Sequence, residues 1–477
     1  MVGDNDGARA TSISEVGDTS SSQGLLQEAR SKWLGATCAQ DLHEAEHIYR
    51  EIIRRETTNG LSSSTNEQDV SEPESKRSKT HPESEENGKT LEDSCASSTC
   101  VTSPSLVAKE KLAMLLLQSC RAPEADILLE SMGYTCRLAE QVLNYPTDTT
   151  TSQQHHQIDA RSTNQSTSRL LDDPPCRIWD NFLTDQDLQV LSQVFANPQS
   201  TYWTDHDYSV EPPSPYFSYV IPLKQHSSQN EDAGDDTTAL MRDFGFLGNL
   251  IHRMRDALSR EWKPNLVQSC THVELWAHNR PPATGHQLHF DSDNEGQGKV
   301  VRHPICSTIL YLSDFNLGGP SLITNQRRIS RSLADKGWLC TPRWKRLTAF
   351  DGRVLHGVIP GKGFVSNGMN EELKSSHPTH QSTGRRVTLM MAFWRRLEVR
   401  DHGLSKVGAA KEFPKDREWA KILRQQNYKP TFDSSEPAPA KPVKLDHVYE
   451  TVGNKQEAKP WLARMGMPAY DEIYQGF

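Results

Sequence analysis

Residues 285–293 read Gly-His-Gln-Leu-His-Phe-Asp-Ser-Asp, a run in which two potential metal ligands are separated by one residue. Alternate residues of a β-strand point to the same face, so His289 and Asp291 can present an imidazole and a carboxylate to one point. A second imidazole from a later strand, for which His356 is the candidate, would complete the two-histidine, one-carboxylate set of a non-heme iron site. The pattern alone has little weight, because a chain with 18 histidines is expected to contain it by chance.

Four further motifs follow this stretch in the chain. They are Ser307-Thr-Ile-Leu-Tyr-Leu-Ser313, Gly318-Gly-Pro-Ser321, Phe350-Asp-Gly-Arg-Val-Leu-His-Gly357 and Gly384-Arg-Arg-Val-Thr-Leu-Met-Met-Ala-Phe-Trp394. Their succession resembles the 2-oxoglutarate/Fe(II) dioxygenases, and specifically the prolyl 4-hydroxylase-like branch, over residues 215–396. Each motif alone is a weak signal, whereas their arrival in this order is a strong one.

The resemblance assigns a metal site. It implies that His289, Asp291 and His356 bind Fe(II), that 2-oxoglutarate and O2 are co-substrates, and that ascorbate is an optional addition. In the family, 2-oxoglutarate is decarboxylated to succinate while an unactivated C–H bond of the substrate is hydroxylated. The protein contributes geometry and a dry pocket, and the metal carries the difficult chemical step.

The resemblance also assigns an anchor for the co-substrate. Arg386 is third in the Gly-Arg-Arg motif and matches the arginine that pairs with the far carboxylate of 2-oxoglutarate. A buried dicarboxylate needs a charge-assisted, preferably bidentate partner, which a guanidinium supplies. Tyr311 matches a strand tyrosine that helps to hold this carboxylate, although such a tyrosine is commonly only a core residue. Thr388 lies on the same strand face as Arg386 and could assist it.

Neighbouring residues compete for these roles. His286 could be the ligand or a hydrogen-bonding neighbour of it, but only His289 has a carboxylate two residues later. His303 is the second choice for the distal ligand. Arg385 is the alternative to Arg386, and because adjacent residues face opposite sides of a strand, only one of the two can serve.

The separation of His356 and Arg386 departs from the family pattern. Residues 362–383, rich in Ser, Asn, His and Gly, look like a loop inserted between the two strands. Strand pairing tolerates such an insertion, because doubling a loop's length costs only about 0.6 kcal/mol. We expect this loop to overhang the active site and to shape substrate access.

Composition limits the class of protein. The chain has 477 residues, of which 35% are apolar, and a formal net charge of −9. This length predicts two or three folding units, and the low apolar fraction predicts disordered stretches. The negative charge argues against a nucleic-acid partner, and no apolar run approaches a membrane span. Nine scattered cysteines and a polar N-terminus without a secretory signal predict a soluble cytoplasmic or nuclear protein.

Helical periodicity marks two regions that precede the β-rich part of the chain. Ala45, Tyr49 and Ile52 have helical spacing, and a later helical pair flanks a turn at residues 120–123. These helices resemble tetratricopeptide-type (TPR-like) repeats, with a small accessory bundle as the alternative. The chain is thereby divided into a disordered N-terminus (1–23), a TPR-like helical part (24–56), a disordered insert (57–103), a second TPR-like hairpin (104–145), a linker (146–174), the dioxygenase domain (175–400) and a C-terminal extension (401–477).

The predicted fold class is therefore α+β. Short β-type runs separated by turn residues dominate residues 175–400. The family resemblance implies that they form a double-stranded β-helix, or jelly-roll, preceded by the helical TPR-like region. The leading functional hypothesis is prolyl hydroxylation of a protein or peptide, because the helical region offers docking surface. A small-molecule hydroxylase of the phytanoyl type, using the same metal ligands, stays open, and the oligomeric state is not predicted.

Two hypotheses from other classes remain. His43, Glu44 and His47 form a His-Glu-x-x-His pattern on a helix, which in metalloproteases binds zinc with the glutamate as general base. No convincing third ligand follows it, and a solvated helix face explains these residues equally well. A non-enzymatic TPR-like scaffold is the other hypothesis. A nucleic-acid dealkylating enzyme should carry a second arginine six residues after Arg386, where this chain has Ala392.

Overall fold

The chain folds as a mixed α/β protein in layers. The computed structural model describes residues 21–34, 39–63, 103–134, 136–145, 173–197, 199–208, 217–223, 236–282, 284–293, 301–313, 317–330, 332–361, 385–400, 408–426 and 437–452. Within these ranges, two β-sheets face each other, and a group of helices covers the outer face of each sheet.

The N-terminal region is helical. It consists of α1 (Ser22–Leu34), α2 (Ala39–Ser63), α3 (Pro104–Gln118), α4 (Ala122–Ser131) and α5 (Glu140–Leu143), with a short strand, β1 (Cys136–Leu138), before α5. Consecutive helices from α1 to α4 pack on each other. Ala45, Tyr49 and Ile52 are buried on one face of α2, as their spacing predicts. Ser103 caps α3, and Pro104 occupies its first turn, where a missing N–H is harmless.

Helix α2 is longer than the sequence pattern indicates. It ends at Ser63, whereas the pattern ended this helical part at residue 56. The apolar periodicity stops at residue 56. Beyond it, the side-chain hydroxyls of Thr57 and Thr58 donate to the backbone carbonyls of Ile53 and Arg54 one turn earlier, so these hydroxyls have hydrogen-bond partners within the helix. The rest of the predicted insert, residues 64–102, lies outside the described residues, as do residues 146–172 of the predicted linker and the whole of the predicted loop 362–383. The assignment of a TPR-like repeat stays a prediction.

The large sheet has eight strands. In order across the sheet they are β12 (Gly408–Glu412), β3 (Phe217–Pro222), β4 (His272–Arg280), β11 (Arg386–Trp394), β6 (Cys306–Tyr311), β9 (Leu347–Phe350), β2 (Cys176–Asp180) and β13 (Ala438–Ala440). Neighbouring strands are antiparallel except β12 and β3, which are parallel. At the centre, β4 and β11 pair along their whole length, from Arg280 opposite Arg386 to His272 opposite Trp394.

The small sheet has five strands. In order they are β14 (Val443–Leu445), β8 (Gly337–Cys340), β7 (Ser321–Arg327), β10 (Val354–Val358) and β5 (His286–His289). From β4 to β11 the chain crosses between the two sheets at every step except from β7 to β8. Residues of both sheets, including Tyr311, Ile323 and Phe350, pack together in the space between them.

Helices of the central and C-terminal parts cover the large sheet. They are α6 (Asp185–Leu191), which continues as a π-helical turn over 192–196, α7 (Thr201–Thr204), α8 (Asp236–Glu261), α9 (Leu266–Ser269) and α10 (Glu418–Leu423). Helix α8 changes direction at Gly245, whose φ is +52°, and a Cβ there would lie 2.3 Å from the carbonyl oxygen of Arg424. Among the helices of the described ranges, none is both long enough and apolar enough to cross a membrane.

The N-terminal helices cover the outer face of the small sheet. Leu288, Leu322 and Leu355 from three strands of that sheet are buried in one apolar cluster with residues of α1 to α5. The side-chain amide of Gln118 also donates to the carbonyl oxygen of Pro360 at 3.1 Å. The helical region is therefore part of the same folded body as the sheets.

The C-terminal part is integrated into both sheets. Its described residues, 408–426 and 437–452, supply β12 and β13 to the large sheet and β14 to the small sheet, and β15 (Tyr449–Thr451) pairs with β1. The predicted boundary at residue 400 therefore does not separate an independent extension. The sequence pattern missed this because these strands are only three to five residues long and pair with partners far away in the chain.

Candidate metal centre

Three potential ligands meet between the two sheets. The Oδ1 atom of Asp291 lies 3.4 Å from Nε2 of His289 and 3.5 Å from Nε2 of His356. An ion about 2.1 Å from each of three such atoms, the usual distance for nitrogen and oxygen ligands, fits this spacing. Among the described residues, this is the one group of three or more histidine, cysteine or acidic side chains close enough to hold a metal ion.

Strand pairing brings these ligands together. His289 ends β5, and His356 lies directly opposite it on β10. Their rings are 4.3 Å apart between centroids. Asp291 follows β5 by two residues, so its carboxylate returns to the side of the strand from which His289 projects, as the period of two requires.

Both histidines are oriented by backbone carbonyls. The Nδ1 atom of His289 is 2.7 Å from the carbonyl oxygen of Gln287, and Nδ1 of His356 is 3.0 Å from that of Val354. A carbonyl oxygen can only accept a hydrogen bond, so each ring carries its proton on Nδ1 and its lone pair on Nε2, which faces Asp291. This is the usual arrangement of metal-binding histidines.

The carboxylate of Asp291 is held in its ionised form. Burial opposes ionisation, but the positive charge that His356 and His289 carry when they are protonated holds the pKa of Asp291 well below its ordinary value. The Ser307 hydroxyl donates to the other carboxylate oxygen, Oδ2, at 2.5 Å. Oδ1 therefore faces the two imidazoles, while Oδ2 is fixed by its hydrogen bond from Ser307.

A cavity opens next to these three residues. Residues from both sheets line it: Trp276, His278, Arg280, His286, His289, Asp291, Ile309, Tyr311, Ser321, His356, Gly357, Val358, Arg386, Thr388 and Met390. All six residues that the sequence proposed for the metal and the co-substrate are in this set. Within the cavity, Thr388 of β11 lies directly opposite Tyr311 of β6, and the Tyr311 hydroxyl is 3.2 Å from the Ser321 hydroxyl.

Arg386 is a buried guanidinium at the cavity wall. It has no hydrogen-bond or ion-pair partner among the described residues, and its Nε is one of the buried polar atoms without a partner. Burial lowers the pKa of Arg386 to about 10. A desolvated, unpaired cation of this kind is costly for the fold and is a favourable partner for an anion.

The competing arginine faces away. Arg385 donates from Nε to the side-chain oxygen of Asn279 and from Nη2 to the carbonyl oxygen of the same residue at 2.7 Å. Arg386 alone of the pair lines the cavity. The alternation of a β-strand thus separates the two roles in the way that the sequence pattern indicated.

The other candidate ligands are placed elsewhere. His286 lines the cavity but is not in the group that can share one ion. The Nδ1 atom of His303 is 2.5 Å from the backbone carbonyl oxygen of Asp291, so this ring supports the loop outside the triad. The carboxylate of Asp293 pairs with Arg302 at 3.0 Å.

The zinc pattern on α2 does not form a site. His43 and His47 are exposed. Glu44 is bonded to Lys32 at 2.5 Å, and the hydrogen bond from this lysine holds the pKa of Glu44 below its ordinary value. No third ligand approaches from the part of the chain that the structure describes, so these residues form a solvated helix face.

Sequence reasoning missed a row of cavity residues on β4. Trp276, His278 and Arg280 alternate along this strand and face the cavity, opposite Met390, Thr388 and Arg386 of β11. Their spacing of two was visible in the sequence, but a strand that is buried on both faces gives no sign of which face borders a cavity.

Comparisons with known proteins give a consistent but weak similarity. No protein-family profile and no curated protein matches the chain. Similar solved structures include a prolyl 4-hydroxylase from Pseudomonas putida, 14% identical over 47% of this chain and 94% of that chain, with a TM-score of 0.27. The viral collagen prolyl hydroxylase of Paramecium bursaria Chlorella virus-1, in its 2-oxoglutarate complex, is 14% identical over 46% of this chain and 97% of that chain, with a TM-score of 0.24. HygX from Streptomyces hygroscopicus, with nickel and 2-oxoglutarate bound, is 10% identical over 53% of this chain and 96% of that chain, with a TM-score of 0.24. Scores this low carry no functional assignment, which therefore rests on the geometry of the cavity.

Proposed function

We propose that this protein is an Fe(II)- and 2-oxoglutarate-dependent dioxygenase that hydroxylates an unactivated C–H bond. One observation carries the proposal. The Nε2 atoms of His289 and His356 converge with a carboxylate oxygen of Asp291. Beside them is a cavity whose wall holds the guanidinium of Arg386, which no carboxylate among the described residues pairs with. A site for a divalent metal and a site for a dicarboxylate are thus placed in one enclosed space.

The donor set fits iron better than a structural metal. Two imidazoles and one carboxylate on one side of an ion leave positions open on the other side, which is typical of non-heme Fe(II) oxygenases. Bound Fe(II) would supply the oxygen chemistry, with 2-oxoglutarate oxidised to succinate and CO2. The residues of this chain hold the ligand geometry through the carbonyls of Gln287 and Val354 and through Ser307.

The wall around Arg386 fits a carboxylate. Its guanidinium supplies two parallel donors and a charge. The hydroxyls of Tyr311, on the neighbouring strand β6, and of Ser321, on β7 of the facing sheet, can donate further hydrogen bonds. Thr388 adds a third hydroxyl on the same strand face as Arg386. Because the site is desolvated, such bonds are stronger than they would be in water.

The strand order supports a double-stranded β-helix. The eight strands from β4 to β11 are shared equally between the facing sheets, in the order β4-β11-β6-β9 and β8-β7-β10-β5. Two facing sheets that exchange strands in this way are typical of jelly-rolls. We propose this fold for the dioxygenase part of the chain.

As the substrate we propose first a prolyl residue of a protein or peptide. This proposal depends on the order of the sequence motifs, which resembles that of the prolyl 4-hydroxylase-like branch. A cytoplasmic or nuclear location and a requirement for ascorbate are further proposals. The described part of the chain has six cysteines that are not in disulfides, five of them buried, which is compatible with a reducing compartment.

The decisive experiment is conversion of 2-oxoglutarate to succinate by the purified, Fe(II)-loaded protein. We expect turnover by the wild type and background turnover by His289→Ala. His43→Ala is the matched control, because it removes an exposed histidine of the rejected zinc pattern and should change neither turnover nor metal content. Succinate formation at the background level in both the wild type and His289→Ala would rule out this enzymatic activity. Mass spectrometry of proline-containing peptides for one added oxygen atom then tests the substrate.

A further inference from the structure

The cavity contains more positive charge than a metal and 2-oxoglutarate require. We propose that Arg280, His278 and His286 form a second anion-binding subsite, and that it holds a carboxylate of the substrate to be hydroxylated. This inference rests on the proposed function and names a substrate class for it. It concerns residues that are neither metal ligands nor part of the Arg386 wall.

The strand register places two arginines side by side. Arg280 on β4 lies directly opposite Arg386 on β11, and both line the cavity. Like charges at directly opposite positions of neighbouring strands destabilise a sheet. Within the described ranges, no carboxylate pairs with either guanidinium. An arrangement of this kind is favourable only when anions occupy the space in front of it.

The charges of the groups that line the cavity indicate how many anions the cavity can hold. The ionised groups that line the cavity are the guanidiniums of Arg280 and Arg386 and the carboxylate of Asp291. With a divalent metal bound, three positive charges are uncompensated. The dianion of 2-oxoglutarate removes two of them, so one positive charge remains for a monoanionic group. A carboxylate matches this remainder, whereas a phosphate dianion exceeds it.

The two additional histidines differ from the metal ligands in their hydrogen bonding. The Nδ1 atoms of His278 and His286 are buried and have no partner among the described residues. Both rings line the cavity, with their centroids 5.5 Å apart. No carbonyl fixes their tautomers, in contrast to His289 and His356. Each ring can therefore present Nε2–H to an oxygen acceptor without adding charge.

Exposure separates the two subsites. Arg386 is buried, whereas Arg280 is partly exposed. A molecule that enters after the co-substrate therefore meets Arg280, while the deeper guanidinium is already engaged. Trp276 and Met390, which lie opposite each other on β4 and β11, offer an apolar surface for the carbon skeleton between the carboxylate and the metal. The predicted substrate is an acid whose reactive carbon lies a few bonds from its carboxylate.

Calorimetry on the whole protein tests the subsite without turnover. The protein is loaded with Mn(II), saturated with 2-oxoglutarate without O2, and titrated with acetate or with inorganic phosphate. We expect one acetate to bind the wild type, and Arg280→Gln to weaken this binding at least tenfold, or by about 1.4 kcal/mol. The affinity for 2-oxoglutarate should stay within about threefold of wild type, or about 0.7 kcal/mol, because the co-substrate is held by Arg386 and not by Arg280. Arg328→Gln, which removes an exposed arginine on the β7–β8 hairpin, is the control for net charge.

Each outcome has a distinct meaning. Failure of the Mn(II)-loaded wild type to bind 2-oxoglutarate overturns the proposed function. Normal 2-oxoglutarate binding with acetate affinities equal in the wild type and Arg280→Gln overturns the subsite alone. Loss of 2-oxoglutarate affinity in Arg280→Gln would place Arg280 in the co-substrate anchor, and tighter binding of phosphate than of acetate would overturn the assignment to a carboxylate.

A second titration distinguishes a side-chain carboxylate from a free organic acid. Two short peptides differ only in an aspartate or an asparagine beside the proline. A preference of the wild type for the aspartate peptide, lost in Arg280→Gln, assigns the carboxylate to a peptide substrate. Binding of acetate but of neither peptide assigns it to a small acid.

Discussion

Replacing Arg386 by methionine should make the metal-free protein more stable and should strongly weaken co-substrate binding. Burial lowers the pKa of Arg386 from an ordinary value of 12.5 to about 10. At about 1.4 kcal/mol for each pKa unit, holding this charge in the folded protein costs about 3 kcal/mol. Methionine has a similar volume and no charge, so the substitution should recover a large part of this cost.

The effect on stability should not depend on pH in the neutral range. A base whose pKa is lowered on folding is protonated in both states as long as the pH is below its folded pKa. The destabilisation is therefore present throughout pH 6–9, which lies below the folded pKa of about 10, and it is relieved only as the pH rises through that value. Co-substrate affinity should fall by a factor of at least about 100, because removing one partner of a buried ion pair costs 3–5 kcal/mol.

Denaturation in urea and calorimetric titration with 2-oxoglutarate measure the two effects. Arg385→Met is the matched control, since its side chain faces away from the cavity and bonds to Asn279. We expect this control to lose about 1–3 kcal/mol of stability through its broken hydrogen bonds and to keep its affinity for 2-oxoglutarate. A loss of stability in Arg386→Met equal to that in Arg385→Met, or unchanged co-substrate binding, would refute the reasoning.

Three further substitutions test the surroundings of the site. Ser307→Ala removes the hydroxyl that donates to the metal-site carboxylate at 2.5 Å, and metal affinity measured by chelator competition should fall by about 10–100-fold. Gly318→Ala places a Cβ 2.8 Å from Cδ of Arg386 at a φ of +91°, whereas Gly133→Ala has a similar φ of +89° and no atom within 4 Å. Gly318→Ala alone should weaken 2-oxoglutarate binding, and equal losses in the two variants would contradict this contact. Burial raises the pKa of Glu274 to about 7, so the folded protein retains a proton that the unfolded chain releases, and stability should fall as the pH rises from about 4.5 to about 7. In urea denaturation, the Glu274→Gln variant should not show this fall in stability with pH. Parallel stability–pH profiles of the wild type and the variant would contradict the role given to Glu274.

The sequence predicted those features that depend on short-range alternation. Strand β11, Arg386–Trp394, lies within the motif 384–394, because its largely apolar run starts just after Gly384 and ends before the charged pair Arg395-Arg396. The pairing of His289 with Asp291 follows from a period of two, and so does the expectation that Arg385 and Arg386 face opposite sides of their strand. The choice of Arg386 between the two arginines came from the family resemblance. Such features need no knowledge of which strands are neighbours.

Features that depend on pairing between distant strands could not be predicted. Arg280 is notable only because β4 is next to β11, which places it opposite Arg386. The short strands β12 to β15 have too few residues for a periodic pattern, and their partners lie up to several hundred residues earlier in the chain. In both cases the deciding interaction is a backbone ladder, which leaves little trace in side-chain composition.

The position of the helical region gives it a role in the metal site itself. On β5 and β10, the ligands His289 and His356 project into the cavity, while their neighbours Leu288 and Leu355 project from the opposite face into the apolar cluster of the N-terminal helices. β5 is an edge strand of four residues, and such a strand is weakly held by its own ladder. Burial against the helices supplies the stabilisation that the ladder lacks, at about 25 cal/mol for each Å² of apolar surface removed from water. The face of the helical region that packs there is consequently occupied by the protein itself, so a docking surface for a substrate must be sought on its other faces.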